Sequence, residues 1–366
     1  MKRVMVIMGT RPEAIKLCPV VAELRKQSDF ETQVISTGQH RAMLDSAMQA
    51  FGIKPDFDLD TMRTGQCSAD LGARILKGTN EILEAEKPDL VLVQGDTTSA
   101  FFAGIAAFYR KIPLGHVEAG LRTHHLKCPF PEEMHRQALG IFADYHFAPT
   151  VTAKQNLVRE GRAEERIFIT GNTVVDALRR TLTECSPTAD WNLPRGKRLI
   201  LFTAHRRESL GAPLSGMLRA LRRVVDENPD VYAIFPVHHN PRVRVAAREI
   251  LSGCKRIRMI EPPDFVDFHH LLSKAHLVMT DSGGIQEEAC ALGIPTLVLR
   301  YSSERSEGMR AGVLKLVGCD EGGIVTVANR LLIQDSEEYS AMRKPSAVFG
   351  DGSASRRIVK VLKKVM

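Results

Sequence analysis

The sequence predicts an α/β protein with two domains, each built on a doubly wound parallel sheet. In both halves, short and continuously apolar segments alternate with amphipathic helical segments, as expected for strands buried between helices. A polar stretch with two prolines and no periodicity, residues 183–198, separates the halves, and the alternation then starts again. A chain of 366 residues is long enough to bury two separate cores.

The first predicted strand, residues 4–8, leads through a tight turn into a helix that begins near Ala14. Further strands are predicted at residues 33–37, 89–95, 114–119, 145–150 and 167–171. The helices between them are predicted at residues 42–52, 69–87, 97–111 and 132–143. We therefore place the first domain at residues 1–172.

A helix and linker at residues 173–198 precede the second domain, which we place at residues 199–348. Its strands are predicted at residues 199–204, 231–237, 257–262, 277–282 and 295–300. Its helices are predicted near residues 212–226, 241–251, 265–274 and 284–292. The basic stretch 349–366 is expected to form a last helix that can pack back on the first domain.

The composition narrows the class of protein. The net charge is +7 and the pI about 9.1, but the basic residues are scattered, which favours a small anionic ligand over nucleic acid. No apolar run approaches the about 20 residues of a membrane span, and the first strand leaves no room for a signal peptide. The seven cysteines are dispersed without a Cys-x-x-Cys pair, which indicates reduced thiols and a cytoplasmic location.

The residues with the clearest chemical character follow the predicted strands. They are Arg11, Gln39, Asp96, Glu118, His205, His238 and Ser282. Open parallel sheets bind ligands beyond the carboxyl ends of their strands. We therefore expect two ligand-binding edges, which would form one interdomain cleft if they face each other.

The stretch TDSGGIQEEA, residues 280–289, is the strongest nucleotide signal. Gly283 and Gly284 let backbone amides approach an anion, and the N-terminus of the following helix favours phosphate. Glu288 lies one helical turn beyond Gly284, where it is suited to accept hydrogen bonds from ribose hydroxyls. The alternative is a helix capped by Ser282 without a ligand.

Cations follow the first strand of each domain. The turn after residues 4–8 has one glycine, with Arg11 and Lys16 close behind, and lacks the glycine pattern of dinucleotide sites. The stretch FTAHRRES places His205 and two arginines after the first strand of the second domain. Arginine can bind phosphate in bidentate fashion, and histidine can donate to a departing oxygen. The alternative is a capped helix with solvated arginines.

Three carboxylates, Asp96, Glu118 and Glu132, lie in the short stretches VQGDTTSA, HVEAGLRT and PFPEEMHR. Like charges that converge raise the pKa of at least one member, which a general acid or base requires. The alternative for Asp96 and Glu118 is a helix cap or a loop hydrogen bond.

The histidine pairs at residues 124–125, 238–239 and 269–270 lack the spacing of a ligand set, so we predict no bound metal. Phe268 could stack on a base, but an aromatic residue on a helix is more often part of the core. The residues alone therefore favour the core for Phe268.

A set of motifs occurs in order along the chain: GTRPEAIK, TGQH, QGDTTSA, HVEAGLRT, PFPEE, AHRRES, PVHHNP, TDSGGIQEEA and SSERSEG. Together they resemble the non-hydrolysing UDP-N-acetylglucosamine 2-epimerases of bacteria, over essentially the whole chain. The resemblance implies the GT-B fold, with two Rossmann-like domains around a cleft, usually in a homodimer. It also implies interconversion of UDP-N-acetylglucosamine and UDP-N-acetylmannosamine for surface polysaccharides, by elimination and re-addition of UDP and without a cofactor.

The resemblance also implies roles for individual residues. It places Asp96, Glu118 and Glu132 in acid and base roles at the sugar, and His205 with Arg11 and Lys16 near the diphosphate and glycosyl oxygen. It places Ser282, Gly283 and Gly284 at phosphate, Glu288 at the ribose, Phe268 at the uracil, and Arg305 in the substrate site.

Many bacterial members bind a second UDP-N-acetylglucosamine as an activator, and Gln39, His40, Arg63 and His238 match that site. Ala42 stands where such members often carry a longer polar residue, so we expect weak activation. Two other functions stay open at this point. They are the hydrolysing relative, which releases free N-acetylmannosamine, and a UDP-sugar glycosyltransferase of the same fold.

Overall fold

The computed structural model describes residues 1–39, 41–63, 65–206 and 209–366. The chain forms two compact units: unit 1 comprises Met1–Arg179 and Gly350–Met366, and unit 2 comprises Arg180–Phe349. Among the described residues, none of the helices combines the length and the apolar character that a membrane span requires.

Unit 1 is built on a parallel sheet. Its strands are β1 (Lys2–Met8), β2 (Phe30–Ser36), β3 (Phe57–Asp58), β4 (Leu90–Gln94), β5 (Leu114–Val117), β6 (Tyr145–Ala148) and β7 (Ile167–Ile169). Within the described residues they form a seven-stranded sheet in the order β3-β2-β1-β4-β5-β6-β7.

The helices of this part of the chain follow the strands in sequence. They are α1 (Arg11–Arg25), α2 (Arg41–Ala50), α3 (Ser68–Glu86), α4 (Thr98–Tyr109), α5 (Glu132–Phe142), α6 (Val151–Arg159) and α7 (Thr173–Glu184). The division between the units falls inside α7, within the stretch 173–198 that the sequence predicts as a helix and linker.

Unit 2 repeats the same plan. Its strands are β8 (Arg198–Thr203), β9 (Val231–Pro236), β10 (Ile257–Ile260), β11 (Leu277–Thr280), β12 (Thr296–Val298) and β13 (Leu314–Leu316). In the described part of the chain they form a six-stranded parallel sheet in the order β10-β9-β8-β11-β12-β13.

The helices of unit 2 again alternate with strands. They are α8 (Ala212–Glu227), α9 (Pro241–Leu251), α10 (Phe265–Ser273), α11 (Gly283–Leu292), α12 (Ser306–Arg310), α13 (Glu321–Leu331) and α14 (Glu337–Met342). The last helix, α15 (Ala354–Val365), belongs to unit 1 and packs on α1.

The strands are apolar because they are buried, as β1 shows. Residues 4–8 of this strand are all fully buried, although alternate side chains point to opposite faces of the sheet. The prediction of two doubly wound parallel sheets is therefore confirmed.

Over the described ranges of the chain, the strand order of each sheet reverses at one place. In unit 1 it lies between β1 and β4, and in unit 2 between β8 and β11. The loops after these neighbouring strands lead away to opposite sides, which leaves a crevice at the carboxyl ends where such folds bind ligands. In the predicted site, Arg11 and Asp96 follow β1 and β4, while His205 and Ser282 follow β8 and β11.

Candidate active site

The carboxylate of Glu13 holds the turn between β1 and α1. Its Oε2 accepts hydrogen bonds from the backbone N–H of Gly9 (3.0 Å) and Thr10 (2.8 Å), and its Oε1 accepts one from the Thr97 hydroxyl (2.7 Å). Since Thr97 caps α4, Glu13 joins the two turns that flank the crevice of unit 1. Burial raises the pKa of Glu13 to about 7, against the effect of these hydrogen bonds.

Gly9 directly follows β1, and two hydroxyl side chains pack closely against it. A Cβ atom at this position would lie 2.0 Å from the hydroxyl oxygens of both Thr37 and Ser99. These hydroxyls are hydrogen-bonded to each other at 2.7 Å, and Ser99 also donates to Oε1 of Gln39 at 2.8 Å. The glycine of this turn is therefore required for packing, and Gln39 belongs to the same network.

Lys16 forms a buried ion pair with Glu118, in which Nζ contacts Oε2. Asn172 donates a hydrogen bond from Nδ2 to the same oxygen at 2.6 Å. Glu118 has a backbone φ of 63°, a conformation that is uncommon for residues other than glycine and is concentrated at functional sites. The carboxylate is thus fixed by a cation, an amide and its own backbone.

Asp96 follows β4 on the other side of the crevice, and its side chain is 31% exposed. Desolvation by the surrounding protein raises its pKa; Arg136 opposes this shift, while the charges of Glu118 and Glu132 raise the pKa further and Lys16 lowers it. The Nε atom of Arg136 lies 3.5 Å from Oδ2 of Asp96. Unit 1 therefore brings the three predicted carboxylates and Lys16 into one electrostatic cluster.

Glu132 and Glu133 open helix α5 and have different surroundings. Glu133 is fully buried, and its carboxylate accepts hydrogen bonds from the backbone N–H of Thr123 (3.1 Å) and His124 (3.0 Å). Glu132 keeps part of its surface exposed. Of this pair, Glu132 is therefore the carboxylate with room to meet a ligand.

Three further residues of unit 1, Arg11, Arg63 and His40, were predicted to bind the substrate or the activator. Arg11 is the first residue of α1 and is partly buried. Arg63 is bound locally, with Nη1 donating to the carbonyl oxygens of Asp60 (2.7 Å) and Met62 (2.8 Å). His40 lies outside the described residues.

Asp281 joins the two strand ends that flank the crevice of unit 2. Its fully buried carboxylate accepts hydrogen bonds at Oδ2 from the backbone N–H of His205 and of Arg206, both at 3.0 Å. Burial acts to raise the pKa of Asp281, but the hydrogen bonds and charge of His205 and the Arg206 N–H hold it below its usual value. Arg207, predicted for the same turn, lies outside the described residues.

The same carboxylate orients the imidazole of His205. Nδ1 of His205 lies 3.3 Å from Oδ1 of Asp281, an arrangement that favours a proton on Nδ1 and leaves Nε2 for a ligand. The ring of His205 stacks on that of His238, with centroids 5.8 Å apart and planes at 20°. Burial and the neighbouring histidines lower the pKa of His238.

Helix α11 begins at Gly283, directly after Ser282, and its first two residues are glycines with different surroundings. A Cβ atom at Gly283 would lie 2.6 Å from Cζ of Arg305, whereas one at Gly284 would meet no atom within 4 Å. Gly283 therefore makes room for the guanidinium group, and Gly284 faces open space.

Arg305 belongs to a cluster of charges beside the start of α11. Its Nε donates to Oε1 of Glu287 at 2.9 Å, and its Nη1 contacts Glu304. Nη1 of Arg300 lies 3.0 Å from Oε2 of Glu304, and Nη2 of Arg206 lies 3.8 Å from Oε1 of the same carboxylate. Although burial opposes ionisation, these three arginines hold the pKa of Glu304 well below its usual range.

Glu288 and Phe268, the residues predicted for ribose and uracil, lie on α11 and α10. Glu288 faces His269, with Oε1 3.4 Å from Nε2. Phe268 is 9% exposed and packs in a buried apolar cluster that includes Trp191 and Leu271. Its side chain is thus part of the core, as the residues alone favour, and stacking on uracil stays a prediction.

Sequence reasoning missed several residues that hold the site in place. Glu13 follows Thr10 at the spacing of a capping box, a signal that the sequence does contain. Arg136 lies four residues after Glu132, on the same face of α5. Asp281 is the last residue before the Ser-Gly-Gly stretch. Because the adjacent glycines are typical of a phosphate site, the sequence assigned no structural role to Asp281.

The described residues bring together no group of three or more histidine, cysteine, aspartate or glutamate side chains that could hold a metal ion. That the protein works without a metal stays a prediction.

Comparison with known proteins gives one consistent result. Residues 22–363 match a family model described as UDP-N-acetylglucosamine 2-epimerase. The chain is 49% identical to the UDP-N-acetylglucosamine 2-epimerase of Bacillus subtilis (strain 168) over 360 residues, covering 98% of this chain and 94% of that protein. It is 46% identical to the enzyme of that name from Escherichia coli (strain K12) over 374 residues, covering 99% and 98%.

A solved structure agrees with these relatives. The structure of UDP-GlcNAc 2-epimerase from Neisseria meningitidis, bound to UDP-GlcNAc, superposes with a TM-score of 0.95 at 41% identity and covers 100% of both chains.

Proposed function

Since the chain belongs to the UDP-N-acetylglucosamine 2-epimerase family, an isomerase family, we propose that it interconverts UDP-N-acetylglucosamine and UDP-N-acetylmannosamine by eliminating and re-adding UDP. The C2 hydrogen of the sugar is not α to a carbonyl, so its removal alone gives no stabilised carbanion. When a carboxylate takes this proton, the electron pair forms the C1=C2 bond of 2-acetamidoglucal as the C1–O bond breaks. Addition of UDP to C1, with protonation of C2 from the opposite face, inverts the centre.

The observation that most supports this mechanism is the cluster of Asp96, Glu118 and Glu132 beside Lys16 and Arg136. The raised pKa of Asp96 suits a group that takes and returns a proton. The two cations limit the repulsion among the carboxylates, so that one can accept a proton while another stays ionised.

Unit 2 supplies the groups for the leaving diphosphate. The N-terminus of α11 at Ser282, Gly283 and Gly284 offers backbone amides and a favourable dipole to phosphate. In this mechanism protonated His205, whose Nδ1 lies 3.3 Å from Oδ1 of Asp281, donates a proton from Nε2 to the departing oxygen. The substrate is supported by the N. meningitidis relative, whose structure was determined with UDP-GlcNAc bound.

The deciding experiment is proton NMR of UDP-N-acetylglucosamine incubated with the enzyme in D2O. We expect deuterium at C2 of both epimers, because the proton removed passes to a carboxyl group that exchanges with solvent. Complete retention of the C2 proton during epimerisation would contradict the elimination mechanism. Accumulation of free N-acetylmannosamine would instead identify the hydrolysing reaction.

Replacing a member of the cluster tests its role in the same assay. Asp96→Asn, Glu118→Gln and Glu132→Gln should each lower kcat about 10²-fold or more and largely preserve UDP binding, because general acid–base catalysis is typically worth 10²–10⁴-fold. Glu165→Gln, at an exposed carboxylate of the same unit, is the matched control. Turnover near the wild-type value in any of the three variants removes that residue from the mechanism.

We further propose that the protein is a homodimer joined through α4 and α5. Phe108, Tyr109 and Ile141 are 56%, 71% and 67% exposed on these helices, and such a group of large apolar side chains is typical of an interface. Light scattering after size exclusion should give a dimer for the wild type and a monomer for Phe108→Ser combined with Ile141→Ser. A dimer in both would place the interface elsewhere.

We also propose that the product is used in the synthesis of surface polysaccharides. A separate proposal is that UDP-N-acetylglucosamine activates the enzyme weakly. Activation is supported by Gln39, which is hydrogen-bonded to Ser99 on the helix that begins beside Asp96. A reaction started from UDP-N-acetylmannosamine should show a lag that a trace of the other epimer abolishes. A linear start that neither the trace nor Gln39→Ala changes would contradict activation.

A further inference from the structure

Three buried side chains contact one another in series, and the last of them is Glu288, the residue predicted to bind the ribose. The Thr181 hydroxyl on α7 lies 2.6 Å from Nδ1 of His269 on α10, and Nε2 of the same ring lies 3.4 Å from Oε1 of Glu288 on α11. Thr181 and His269 are each 1% exposed, and Glu288 is 7% exposed. All three belong to unit 2.

The donors and acceptors along this line can be assigned from the partners. An ionised carboxylate only accepts hydrogen bonds, so the nitrogen that faces Glu288, Nε2 of His269, carries a proton. In the neutral ring Nδ1 is then an acceptor, to which the Thr181 hydroxyl donates a hydrogen bond. Phe265 packs edge-on against the ring, with centroids 5.6 Å apart and planes at 88°, and limits its rotation.

The imidazole of His269 therefore lies against one oxygen of the Glu288 carboxylate, Oε1, at 3.4 Å. Glu288 lies one helical turn beyond Gly284, so a nucleotide whose diphosphate sits on the N-terminus of α11 carries its ribose toward this side chain. A carboxylate that approaches two neighbouring hydroxyls must keep its plane fixed to accept from both. His269 supplies that constraint from the side that faces the protein core.

We propose that His269, held by Thr181, is a positioning residue that fixes Glu288 to accept hydrogen bonds from the ribose hydroxyls and so makes unit 2 selective for ribonucleotides over 2′-deoxyribonucleotides. This inference rests on the proposed function, in which unit 2 binds UDP. In this proposal His269 affects nucleotide selectivity without contacting the nucleotide itself.

The expected selectivity follows from the hydrogen bond that a deoxynucleotide cannot make. One hydrogen bond to a charged group corresponds to about a ten- to hundredfold difference in affinity. The wild type should therefore bind UDP at least about tenfold more tightly than 2′-deoxy-UDP. Once Glu288 is free to rotate, the ratio should fall to about threefold or less, through weaker binding of UDP and little change for 2′-deoxy-UDP.

The experiment is calorimetric titration of the full-length protein with UDP and with 2′-deoxy-UDP. His269→Leu removes both ring nitrogens, and Thr181→Val removes the hydroxyl with little change of shape, so that a result remains if the first variant does not fold. His270→Leu is the matched control, because His270 is the next residue on α10 and its Nε2 contacts the carbonyl oxygen of Cys185 instead. In a Glu288→Gln background, His269→Leu should cause no further loss of selectivity.

The outcomes separate this inference from the function on which it rests. A reduced ratio in His269→Leu or Thr181→Val, with the ratio of His270→Leu unchanged, supports the inference. A wild type that prefers UDP while both variants keep that preference overturns it and leaves UDP binding intact. A wild type that binds both nucleotides equally overturns the role of Glu288 at the ribose, and one that binds neither overturns the proposed function.

Discussion

Replacing Gly283 by alanine should destabilise unit 2 by about 2–5 kcal/mol, because the new methyl group would occupy the place of the Arg305 guanidinium. The added Cβ atom would lie 2.6 Å from both Cζ and Nη1 of Arg305, about 1 Å closer than an ordinary contact. Arg305 cannot retreat without lengthening its bonds to the buried Glu287 and Glu304. Overpacking typically costs about 1–3 kcal/mol, and a weakened hydrogen bond to a charged group about 1.5–3 kcal/mol.

A favourable effect of alanine on the helix reduces this sum. Alanine stabilises a helix by about 0.5–1 kcal/mol relative to glycine. Gly284→Ala is the matched control, because a Cβ atom there meets no atom within 4 Å. It should leave the free energy of unfolding unchanged or raise it by up to about 1 kcal/mol.

The assay can follow unit 2 alone. The single tryptophan of the sequence, Trp191, lies in the buried apolar cluster of this unit and is 6% exposed, so its fluorescence in urea reports the unfolding of unit 2. Gly283→Ala should also weaken UDP binding, since a displaced Arg305 disturbs the start of α11. Equal unfolding midpoints for the two variants would refute the argument from the guanidinium contact.

The remaining predictions concern charge. Glu13→Gln should remove a pH dependence of stability: burial raises the pKa of Glu13 from its ordinary value of 4.5 to about 7, so its stabilising effect is complete below pH 4.5 and lost as the pH rises through 7. The variant should therefore gain about 3 kcal/mol relative to wild type between pH 4 and pH 8 in urea unfolding, and a constant difference would contradict this. Asp281→Asn should lower kcat about 10- to 100-fold with a smaller change in KM, because asparagine has one acceptor oxygen, which the backbone N–H groups of His205 and Arg206 would use, and its NH2 group cannot accept from Nδ1 of His205; unchanged kcat would remove that role. Excess EDTA should leave turnover unchanged, since arginines and the start of α11 supply the positive charge, whereas activity restored only by Mg²⁺ would refute this.

The fold could be predicted from the sequence because burial on both faces leaves a direct signal. A strand such as β1 reads as an uninterrupted apolar run, and its length distinguishes it from the helices. The strands β3 and β13 were not predicted, because β3 has only two residues, one of them Asp58, and the apolar run of β13 is interrupted by Lys315. Their positions are set by the neighbouring strands β2 and β12.

Of the site, only the residues that follow the predicted strands could be predicted from the sequence. Residues such as Asp96 and His205 stand out because they follow apolar strands, and parallel strands bring such positions to one edge. The partners of these residues depend on contacts between distant parts of the chain, as in the ion pair of Lys16 with Glu118. Local spacing carries no information about such a pair, and the placement of Lys16 near the diphosphate stays a prediction.

The discontinuity of unit 1 has a consequence for how the protein is made. Helix α15 completes this unit: Asp176 accepts hydrogen bonds from the N–H of Ala354 (3.1 Å) and Ser355 (2.7 Å), and Leu362 is fully buried. Unit 2 is one uninterrupted segment, so it can fold on the ribosome before the last helix of unit 1, the half that contains Asp96, Glu118 and Glu132, has been synthesised. A premature stop codon near position 350 would therefore leave unit 2 whole and damage unit 1, the half that is translated first.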